Sequence, residues 1–378
     1  MDKMLKTTYK YRVSLTRTQR RLLEQQLEIC RWVYNQTLAL RKVAWEERKE
    51  TLSAYDTNKF LPVWKTEHPE LKQVYAQVLQ NVQARVDLAF KAFFRRTKTG
   101  ENPGYPRFKG KRRYDSITYP QYRKGMRLDG NRLTLAKFGT VQVKLHRPLE
   151  GQIKTVTLHR TSTDKYFVSF AVEKEQKQGL IIPEVAVGVD VGLEKFATFS
   201  TGETIPNPRF FRRDAKDLAR AQRHLNKEGK GSSERNKWRK VGARIYERIA
   251  NRRKNFAHQV SRSLVNRFRI IVFENLSISQ MLKNHCLAKS IADAAWGQLA
   301  IYTRYKAEDA GSLYIEVDPR GTSQRCSKCG ATVKKSLAVR VHKCPFCGLE
   351  IDRDLNAALN IKAVGLHSVG SPLEALAL

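Results

Sequence analysis

The first hundred residues combine one strand pattern with two helical patterns. Apolar and polar residues alternate in TTYKYRVSL, residues 7–15, as expected of a strand with one buried face. Thr16 and Gln19 have the spacing of a capping box, and apolar residues recur behind them at helical intervals. A second helical face extends from about Leu71 to Phe94. The pattern predicts a strand followed by a helical unit that spans residues 17–98.

A loop region follows these helices and leads into short strands. TKTGENPGYPRFKGKRRYDS, residues 97–116, contains two prolines, three glycines and many cations, which is typical of a loop. From residue 116 to 182, several short alternating segments are separated by turns, a pattern that favours a small barrel. Because the first strand precedes the helices, we predict a β-barrel domain of residues 1–16 and 99–182 with a helical insertion.

The second half of the chain changes to an α/β pattern. VAVGVDVG, KFATFST, RIIVFEN and SLYIEVD are nearly continuous apolar segments, separated by long helical stretches at 209–266 and 288–310. Such alternation predicts an α/β layer with a mixed sheet. Ser290 with Asp293 is interpreted as a helix cap. We assign 183–320 and 351–365 to this domain, with an insertion at 321–350 and a short tail at 366–378.

The net charge of the chain indicates more about its binding partner than the composition does. The chain has 378 residues, and its hydrophobic share of 41% is that of an ordinary globular protein. Its 71 Lys and Arg residues face 36 Asp and Glu residues, a formal net charge of +35. Such an excess indicates a polyanionic partner, above all nucleic acid. A membrane surface is the weaker alternative, since no apolar run of spanning length and no signal-peptide pattern is found, so we expect an intracellular, cytoplasmic protein.

Four of the six cysteines form two CxxC pairs. Cys326 with Cys329 and Cys344 with Cys347 are separated by fourteen residues, which is the spacing of a structural zinc site with four thiolate ligands. Glycine follows each pair, at the position where a sharp turn requires a positive φ. Free core cysteines or a redox pair are the alternatives, but neither explains both pairs. His342 is nearby and is interpreted as a surface or nucleic-acid contact, since four thiolates already complete the zinc shell.

Three carboxylates lie in or beside apolar segments. Asp190 is within VAVGVDVG, Glu274 follows RIIVF, and Asp354 lies near the start of the helix DRDLNAALNI. Carboxylates from distant segments could hold two Mg2+ ions, roughly 3.5–4 Å apart, for phosphodiester hydrolysis. Each acid also has an ordinary structural interpretation, as a turn former, a strand-end residue or an acid favoured by a helix dipole. Asp354 is preferred to Asp352 because it shares a helix face with Ala357, Ala358 and Ile361, so Asp352 is expected to cap the helix.

Two basic segments are candidates for contacts with nucleic acid. Residues 209–254 hold 17 Lys or Arg residues and five acids, and KGKRRYDSITYPQYRK interleaves cations with tyrosines. A solvated helix pair and a turn with packed aromatic residues are the alternatives. The predicted contacts are Arg107, Lys109, Arg112, Arg113, Tyr119, Arg239, Lys240, Arg244, Arg252 and Arg253.

Together these motifs resemble the TnpB (OrfB) family of RNA-guided nucleases from bacterial insertion sequences. The resemblance is carried by VGVDVGLEKFATFSTG, IVFENLSI, DPRGTSQRCSKCG and CPFCGLEIDRDLNAALNI, in that order, and the same motifs occur in type V CRISPR effectors. It implies a RuvC-type, RNase H-like nuclease domain with an inserted zinc ribbon. It further implies that the barrel is a wedge domain and that residues 17–98 are a helical recognition lobe.

The resemblance also implies an activity and its partners. A monomeric ribonucleoprotein would pair a guide RNA, transcribed from the end of the element, with double-stranded target DNA in the bacterial cytoplasm or nucleoid. Asp190, Glu274 and Asp354 would be the catalytic residues of a single site that cuts both strands in turn and leaves 5′-phosphates. Gln80 and Thr118 match positions that contact the short duplex motif beside the target.

Two other functions remain as alternatives. Some relatives have lost catalytic acids and act as RNA-guided repressors that bind DNA without cutting it, and the three retained acids argue against that function. A transposase that joins strands also uses three acids. In that class the glutamate normally comes last, whereas the order here is Asp, Glu, Asp.

Overall fold

The computed structural model describes residues 4–175, 184–336 and 339–368. The predicted domain boundary at 182 and the predicted tail beyond residue 368 lie outside the described residues. The chain divides into two compact units, Met1–Glu175 and Gln176–Leu378. None of the described helices combines the length and the apolar character needed to cross a membrane.

The first unit contains a seven-stranded antiparallel sheet. Its strands are β1 (Met4–Ser14), β2 (Ser116–Tyr119), β3 (Met126–Asp129), β4 (Arg132–Leu135), β5 (Gly139–Lys144), β6 (Gln152–Arg160) and β7 (Tyr166–Glu175). They pair in the order β2-β6-β7-β1-β5-β4-β3. In the described part of the chain no pairing joins β2 to β3, so closure into the predicted barrel stays a prediction.

The helices of this unit lie between β1 and β2 in the chain. They are α1 (Arg17–Arg48), α2 (Ala54–Asn58), α3 (Phe60–Glu67) and α4 (Ala76–Lys98), with a 3-10 helix at Pro69–Gln73. The predicted capping box at Thr16 and Gln19 is confirmed, because each side chain accepts a hydrogen bond from the other residue's backbone N–H. One apolar core joins helices and sheet, and its largest fully buried side chains include Tyr11, Tyr119 and Phe170.

The second unit contains the predicted mixed sheet, which is confirmed. Its strands are β8 (Glu184–Val191), β9 (Lys195–Phe199), β10 (Thr204–Pro206), β11 (Phe268–Glu274) and β12 (Leu313–Val317). They pair in the order β10-β9-β8-β11-β12. β8, β11 and β12 are parallel, whereas β9 and β10 are antiparallel additions. β8 and β11 are largely buried apolar segments, as their sequences predict, whereas in β12 only Val317 is buried.

Six helices accompany this sheet in the described residues. They are α5 (Phe210–Lys227), α6 (Ser233–Arg267), α7 (Ile278–Met281), α8 (Ala288–Ala294), α9 (Trp296–Ala310) and α10 (Arg353–Ser368). Both predicted helical stretches are divided. A turn at Gly231, with Ser232 as N-cap, separates α5 from α6, and Ala295 with φ 58° separates α8 from α9.

The last helix approaches the sheet with backbone against backbone. A Cβ at position 188, in the middle of β8, would lie 2.1 Å from the carbonyl oxygen of Ala358 and 2.6 Å from the backbone nitrogen of Lys362. On the helix side, a Cβ at position 365 would lie 2.5 Å from Val272. Glycine is therefore required at both positions for α10 to pack where it does. Ahead of α10, the short strands β13 (Val341–Lys343) and β14 (Glu350–Asp352) form a separate hairpin.

Candidate active site and zinc ribbon

Asp190 and Glu274 lie at the same end of two neighbouring parallel strands. In the pairing of β8 with β11, Val187 is opposite Ile271 and Val189 is opposite Phe273. Asp190 and Glu274 are the next residues of the two strands in this register. Because the carboxyl ends of parallel strands meet at one sheet edge, the chain places these two acids side by side.

Asp354 reaches the same edge from α10. It lies one helical turn before Ala358, the residue whose carbonyl oxygen rests on Gly188. Residues four apart share a helix face, and residues two apart share a strand face. Asp354 therefore faces the sheet, and Asp190 faces α10.

The electrostatics of Asp190 agree with a close approach of the three acids. Burial raises its pKa well above the ordinary value, and the carboxylates of Glu274 and Asp354 raise it further. The neighbouring Arg353 guanidinium opposes this effect and does not cancel it. All three acids remain partly exposed, so a ligand from solution can reach them. Such mutual repulsion is what a bound cation would relieve.

Glu274 has one neutral hydrogen-bond partner that sequence reasoning missed. The Thr322 hydroxyl donates to Glu274 Oε1 at 2.6 Å, and the Thr322 side chain is buried. Burial raises the pKa of Glu274, and this hydrogen bond partly lowers it. Thr322 belongs to the segment GTSQRCSKC, but nothing in the sequence indicates which buried acid its hydroxyl contacts.

Asp352 and Asp354 have different roles, as the helix geometry predicts. Asp352 caps α10, since its Oδ1 accepts from the backbone N–H of Asp354 at 2.9 Å and of Leu355 at 3.1 Å. Its Oδ2 accepts from Lys195 at 2.8 Å. Burial would raise the pKa of Asp352, but these hydrogen bonds outweigh burial and lower it. Asp354 instead accepts from the guanidinium of Arg353, at 3.1 and 3.2 Å.

The donor set of this site suits a hard divalent cation. It consists of carboxylate oxygens, the ligands preferred by Mg2+. Among the described residues, the four ribbon cysteines are the one group of three or more His, Cys, Asp or Glu residues whose ligand atoms all lie within 4.8 Å of one another.

The four cysteines have the geometry of a structural zinc site. Cys326 Sγ lies 3.5 Å from Cys347 Sγ, and Cys329 Sγ lies 3.6 Å from Cys344 Sγ. A tetrahedral ion with Zn–S bonds of about 2.3 Å separates its ligands by about 3.8 Å, so the four thiolates fit zinc. Gly330 and Gly348 have φ values of 77° and 72°, which confirms the predicted turn after each pair.

The interpretation of His342 as a surface contact is wrong. Its side chain is fully buried within the ribbon. The ring contacts Lys335 through Nδ1 and lies beside the Cys326 thiol. His342 therefore supports a zinc ligand from inside the ribbon, and no nucleic acid can reach it.

In the first unit, the predicted nucleic-acid contacts divide by exposure. Gln80, Arg107, Arg112 and Arg113 are exposed, and Lys109 is partly exposed. The prediction for Tyr119 is wrong, because this residue is 1% exposed and donates to the carbonyl of Ala136. Thr118 is partly buried, and its hydroxyl bonds Arg85 and Thr157. The alternative of aromatic packing is the correct one for Tyr119.

In the second unit, the helix pair α5–α6 contains the other predicted contacts. Arg239 and Arg244 are exposed, and Lys240 is partly exposed. Arg252 pairs with Asp214 at 3.1 Å but stays on the surface. Arg253 is partly exposed and donates to the buried carboxylate of Asp293 at 2.7 Å, so its charge is already paired within the fold.

The prediction that Ser290 and Asp293 cap a helix is also wrong. Ser290 and Asp293 lie inside α8, which begins at Ala288. Asp293 accepts from the backbone N–H of Phe211 at 2.8 Å, so it stabilises the start of α5 rather than its own helix.

Three family models match consecutive parts of the chain. A helix-turn-helix domain of OrfB_IS605 matches residues 1–50, and the described part of this range, residues 4–50, contains β1 and the long helix α1. OrfB_IS605, described as "Probable transposase", matches residues 169–285. The Cas12f1-like TNB domain matches residues 296–361, which include the four zinc-site cysteines.

Two curated relatives match most of the chain. A protein of Streptomyces pristinaespiralis is 36% identical over 379 residues, which cover 97% of this chain and 91% of the relative. A protein of Escherichia coli K12 is 31% identical over 360 residues, which cover 90% and 87%. Both bear the name "Putative RNA-guided DNA endonuclease", the second with the designation InsQ.

A solved structure is similar over nearly the same length. The chain matches the cryo-EM structure of a Cas12f1–sgRNA–target DNA complex with a TM-score of 0.58 and 14% identity, covering 95% of this chain and 98% of that one. At this identity the likeness concerns the fold. On the full-length similarity to the two curated relatives, the resemblance seen in the sequence motifs is confirmed, and the chain belongs to the TnpB (OrfB) family of insertion-sequence proteins.

Proposed function

We propose that this chain is an RNA-guided, Mg2+-dependent DNA endonuclease of a transposable element, with one RuvC-like site formed by Asp190, Glu274 and Asp354. The observation that carries the proposal is the meeting of these three acids at one sheet edge, where Glu274 and Asp354 raise the pKa of Asp190. Full-length relatives that bear the name of RNA-guided DNA endonucleases support the same activity.

The three acids act as oxygen ligands held by rigid elements. Asp190 and Glu274 extend from paired strands, and Asp354 extends from a helix packed on the sheet backbone, so their separation changes little when substrate binds. When bound, two Mg2+ ions would supply Lewis acids that activate water and stabilise charge on the leaving oxygen. Arg353, beside Asp354 and near Asp190, partly offsets the negative charge until the cations arrive. Asp352 fixes the start of α10 and is not a ligand.

The partners follow from the charge and from the family. The proposal assigns a guide RNA from the end of the element and a double-stranded DNA target, bound by a monomeric ribonucleoprotein in the bacterial cytoplasm. The exposed cations of α5–α6 and of the loop at 107–113 would contact phosphates, and Gln80 and Thr118 would lie beside the flanking duplex motif. The sheet of the first unit would be the wedge domain, and residues 17–98 the recognition lobe. The four thiolates of the ribbon would hold structural zinc.

The test is a cleavage assay on the complete ribonucleoprotein. The chain would be purified with its co-expressed RNA and incubated with Mg2+ and plasmids that contain the guided target beside randomised flanking sequence. We expect linear product with 5′-phosphate ends from a subset of flanks. Asp190→Ala should abolish the product and leave guide-dependent DNA binding intact, because the acid binds cations rather than base pairs.

Controls separate this function from its alternatives. Glu203→Gln changes an exposed acid that pairs with Arg267 away from the site, and it should cut as the wild type does. Guide-dependent binding without product under any flank would identify a repressor. Strand-joined products would identify a transposase, and cutting by Asp190→Ala would show that the three acids are assigned wrongly.

A further inference from the structure

One segment connects the zinc ribbon, the last helix and a candidate catalytic acid. Residues 322–327 lead from β12 into the first cysteine pair. At its start, the Thr322 hydroxyl lies 2.6 Å from Glu274 Oε1 and 3.0 Å from the carbonyl oxygen of Pro319. A hydroxyl has a single proton, and the carboxylate is both the nearer and the charged acceptor. Thr322 therefore donates to Glu274.

Two asparagines of α10, one helical turn apart, form hydrogen bonds with the same segment. Asn360 Nδ2 donates to the carbonyl oxygens of Thr322 and Arg325, each at 2.8 Å. Asn356 is fully buried. Its Nδ2 donates to the Arg325 carbonyl at 2.7 Å, and its Oδ1 accepts from the Ser327 backbone at 2.9 Å.

These contacts connect Glu274 with the helix that supplies Asp354. Asn356 and Asn360 lie on α10, within two turns of Asp354 along the same helix. The segment that they hold includes Cys326, a zinc-site cysteine. A displacement of the ribbon is therefore transmitted to Glu274 through Thr322 and to Asp354 through α10.

We infer that Thr322 is a positioning residue, which orients the Glu274 carboxylate for a divalent cation and couples the zinc ribbon to the active site. The inference rests on the proposed function, because it requires Glu274 to be a cation ligand. A side chain that orients a metal ligand typically contributes about tenfold or more in metal affinity. The effect should therefore be visible in binding of the cation itself, before any DNA is cut.

The experiment measures binding of Mn2+, as a probe for Mg2+, to the full zinc-loaded chain by the loss of its free electron paramagnetic resonance signal. Thr322→Val removes the hydroxyl and keeps the shape, and it should weaken Mn2+ binding by about tenfold or more. Thr322→Ser restores a hydroxyl and should recover most of the affinity. In the ribonucleoprotein, the Mg2+ concentration for half-maximal cutting should rise by the same factor for Thr322→Val.

Thr303→Val is the matched control. Thr303 is also a fully buried threonine of the second unit, but its hydroxyl donates only to the Leu299 carbonyl of its own helix, at 2.9 Å. This variant should bind Mn2+ as the wild type does. Equal weakening in Thr303→Val and Thr322→Val, or wild-type affinity in Thr322→Val, would overturn the inference.

Two further variants keep the outcomes distinct. Glu274→Gln should lose Mn2+ affinity, and wild-type affinity in this variant would overturn the proposed role of Glu274 and the inference with it. If the Thr322→Val protein does not retain zinc or does not fold cooperatively, Asn360→Ala is tested in its place. Asn360→Ala removes the donor to the Thr322 carbonyl and leaves the Thr322 hydroxyl unchanged. Mn2+ binding weakened by about tenfold or more in Asn360→Ala would support the coupling, and unchanged affinity would overturn it.

Discussion

Asp190 lies near the end of β8, and the residues before it, Ala186 to Val189, are buried. Burial and two nearby carboxylates raise its pKa, so the ionised side chain destabilises the folded chain whenever no cation is present. A cation site of this kind lowers the stability of the metal-free folded protein, because its carboxylates repel one another when no cation is bound.

Replacement of Asp190 should therefore stabilise the metal-free protein. We expect Asp190→Asn to raise the unfolding midpoint at neutral pH by about 2–4 °C, the shift that about 1 kcal/mol produces in a unit of this size. The sign follows from linkage. A raised folded-state pKa means that ionisation costs stability as pH rises from the ordinary aspartate range through the raised pKa, and the cost is absent in acid. Thermal unfolding over a range of pH, in Mg2+-free buffer without chelator, measures the difference in unfolding midpoint between the two proteins.

The control for this prediction is Asp217→Asn, an exposed acid on α5 that pairs with Arg248. It should leave the midpoint nearly unchanged at every pH. Added Mg2+ should stabilise the wild type and have little effect on Asp190→Asn. A variant less stable than the wild type at neutral pH would contradict the raised pKa.

For individual residues, the sequence predicts the roles that follow from local spacing. The CxxC pairs, the glycines behind them and the assignment of Asp352 as cap depend on local geometry, and the structure agrees. The predictions of an exposed Tyr119 and an exposed His342 were wrong, because a polar aromatic residue in a basic segment has the same sequence pattern whether it is buried or exposed. The contact of Thr322 with Glu274 joins residues 48 apart in the chain, and no local pattern predicts it.

Among the elements, α10 depends on a single residue of the sheet for its position. Its backbone rests directly on Gly188, with no room for a side chain. Since Asp354 is near the start of this helix, the distance between helix and strand sets the distance between Asp354 and Asp190.

Gly188→Ala should therefore affect both stability and cutting. The added methyl group forces α10 away from β8, which should cost about 1–3 kcal/mol as other overpacked cores do and should reduce cutting strongly. Gly242→Ala is the matched control, because position 242 lies within α6 and a Cβ there meets nothing within 4 Å. This control should gain up to about 1 kcal/mol from helix propensity and cut normally. Chemical denaturation and the plasmid assay report the two effects.

The ribbon is an element whose stability depends on α10. Asn356→Ala leaves the Ser327 N–H without its partner and the Arg325 carbonyl with Asn360 alone, a loss of about 1–3 kcal/mol for a buried group. We expect faster release of zinc to a colorimetric chelator, because the first cysteine pair follows this contact directly. Asn226→Ala, which removes only a surface contact with Gln222 on α5, should release zinc at the wild-type rate. Equal rates for the two variants would show that α10 does not stabilise the ribbon.

The strands and most helices of the second unit could be predicted from periodicity, but the division between α8 and α9 could not. Ala295 has a φ of 58°, which is unfavourable for alanine and has no sequence signal. Tertiary packing imposes it, with Ala294 and Trp296 both buried in the core.

For the whole molecule, the net charge of +35 sets how binding responds to salt. Exposed cations that contact phosphates release counterions, so affinity falls steeply as salt rises. Cations already committed to internal acids contribute little to this dependence. The structure separates the two groups, whereas the sequence shows only their sum.

Arg239→Gln together with Arg244→Gln should reduce the salt dependence of duplex binding. Each lost phosphate contact lowers the slope of log K against log salt by about 0.9. Arg253→Gln should leave the slope unchanged and instead destabilise the fold by about 3 kcal/mol, because it leaves the buried Asp293 without its cation. Titrations by fluorescence anisotropy at several salt concentrations distinguish the two variants. An unchanged slope in the double variant would exclude α5–α6 as a phosphate-binding surface.

The position of β1 in the first sheet has a consequence for how the chain folds as it is synthesised. β1 is a central strand, and its partner β7 places Met4 opposite Glu175 and Val13 opposite Tyr166. During synthesis β1 must therefore wait about 130 residues for β5, which pairs only with Arg12, Val13 and Ser14, and about 160 residues for β7, roughly 8–30 s at ordinary elongation rates. During that interval its apolar face has only the helices behind it for cover. Pairing between such distant strands also slows folding. Recombinant yield should consequently depend on translation speed and on chaperones that shield an unpaired N-terminal strand.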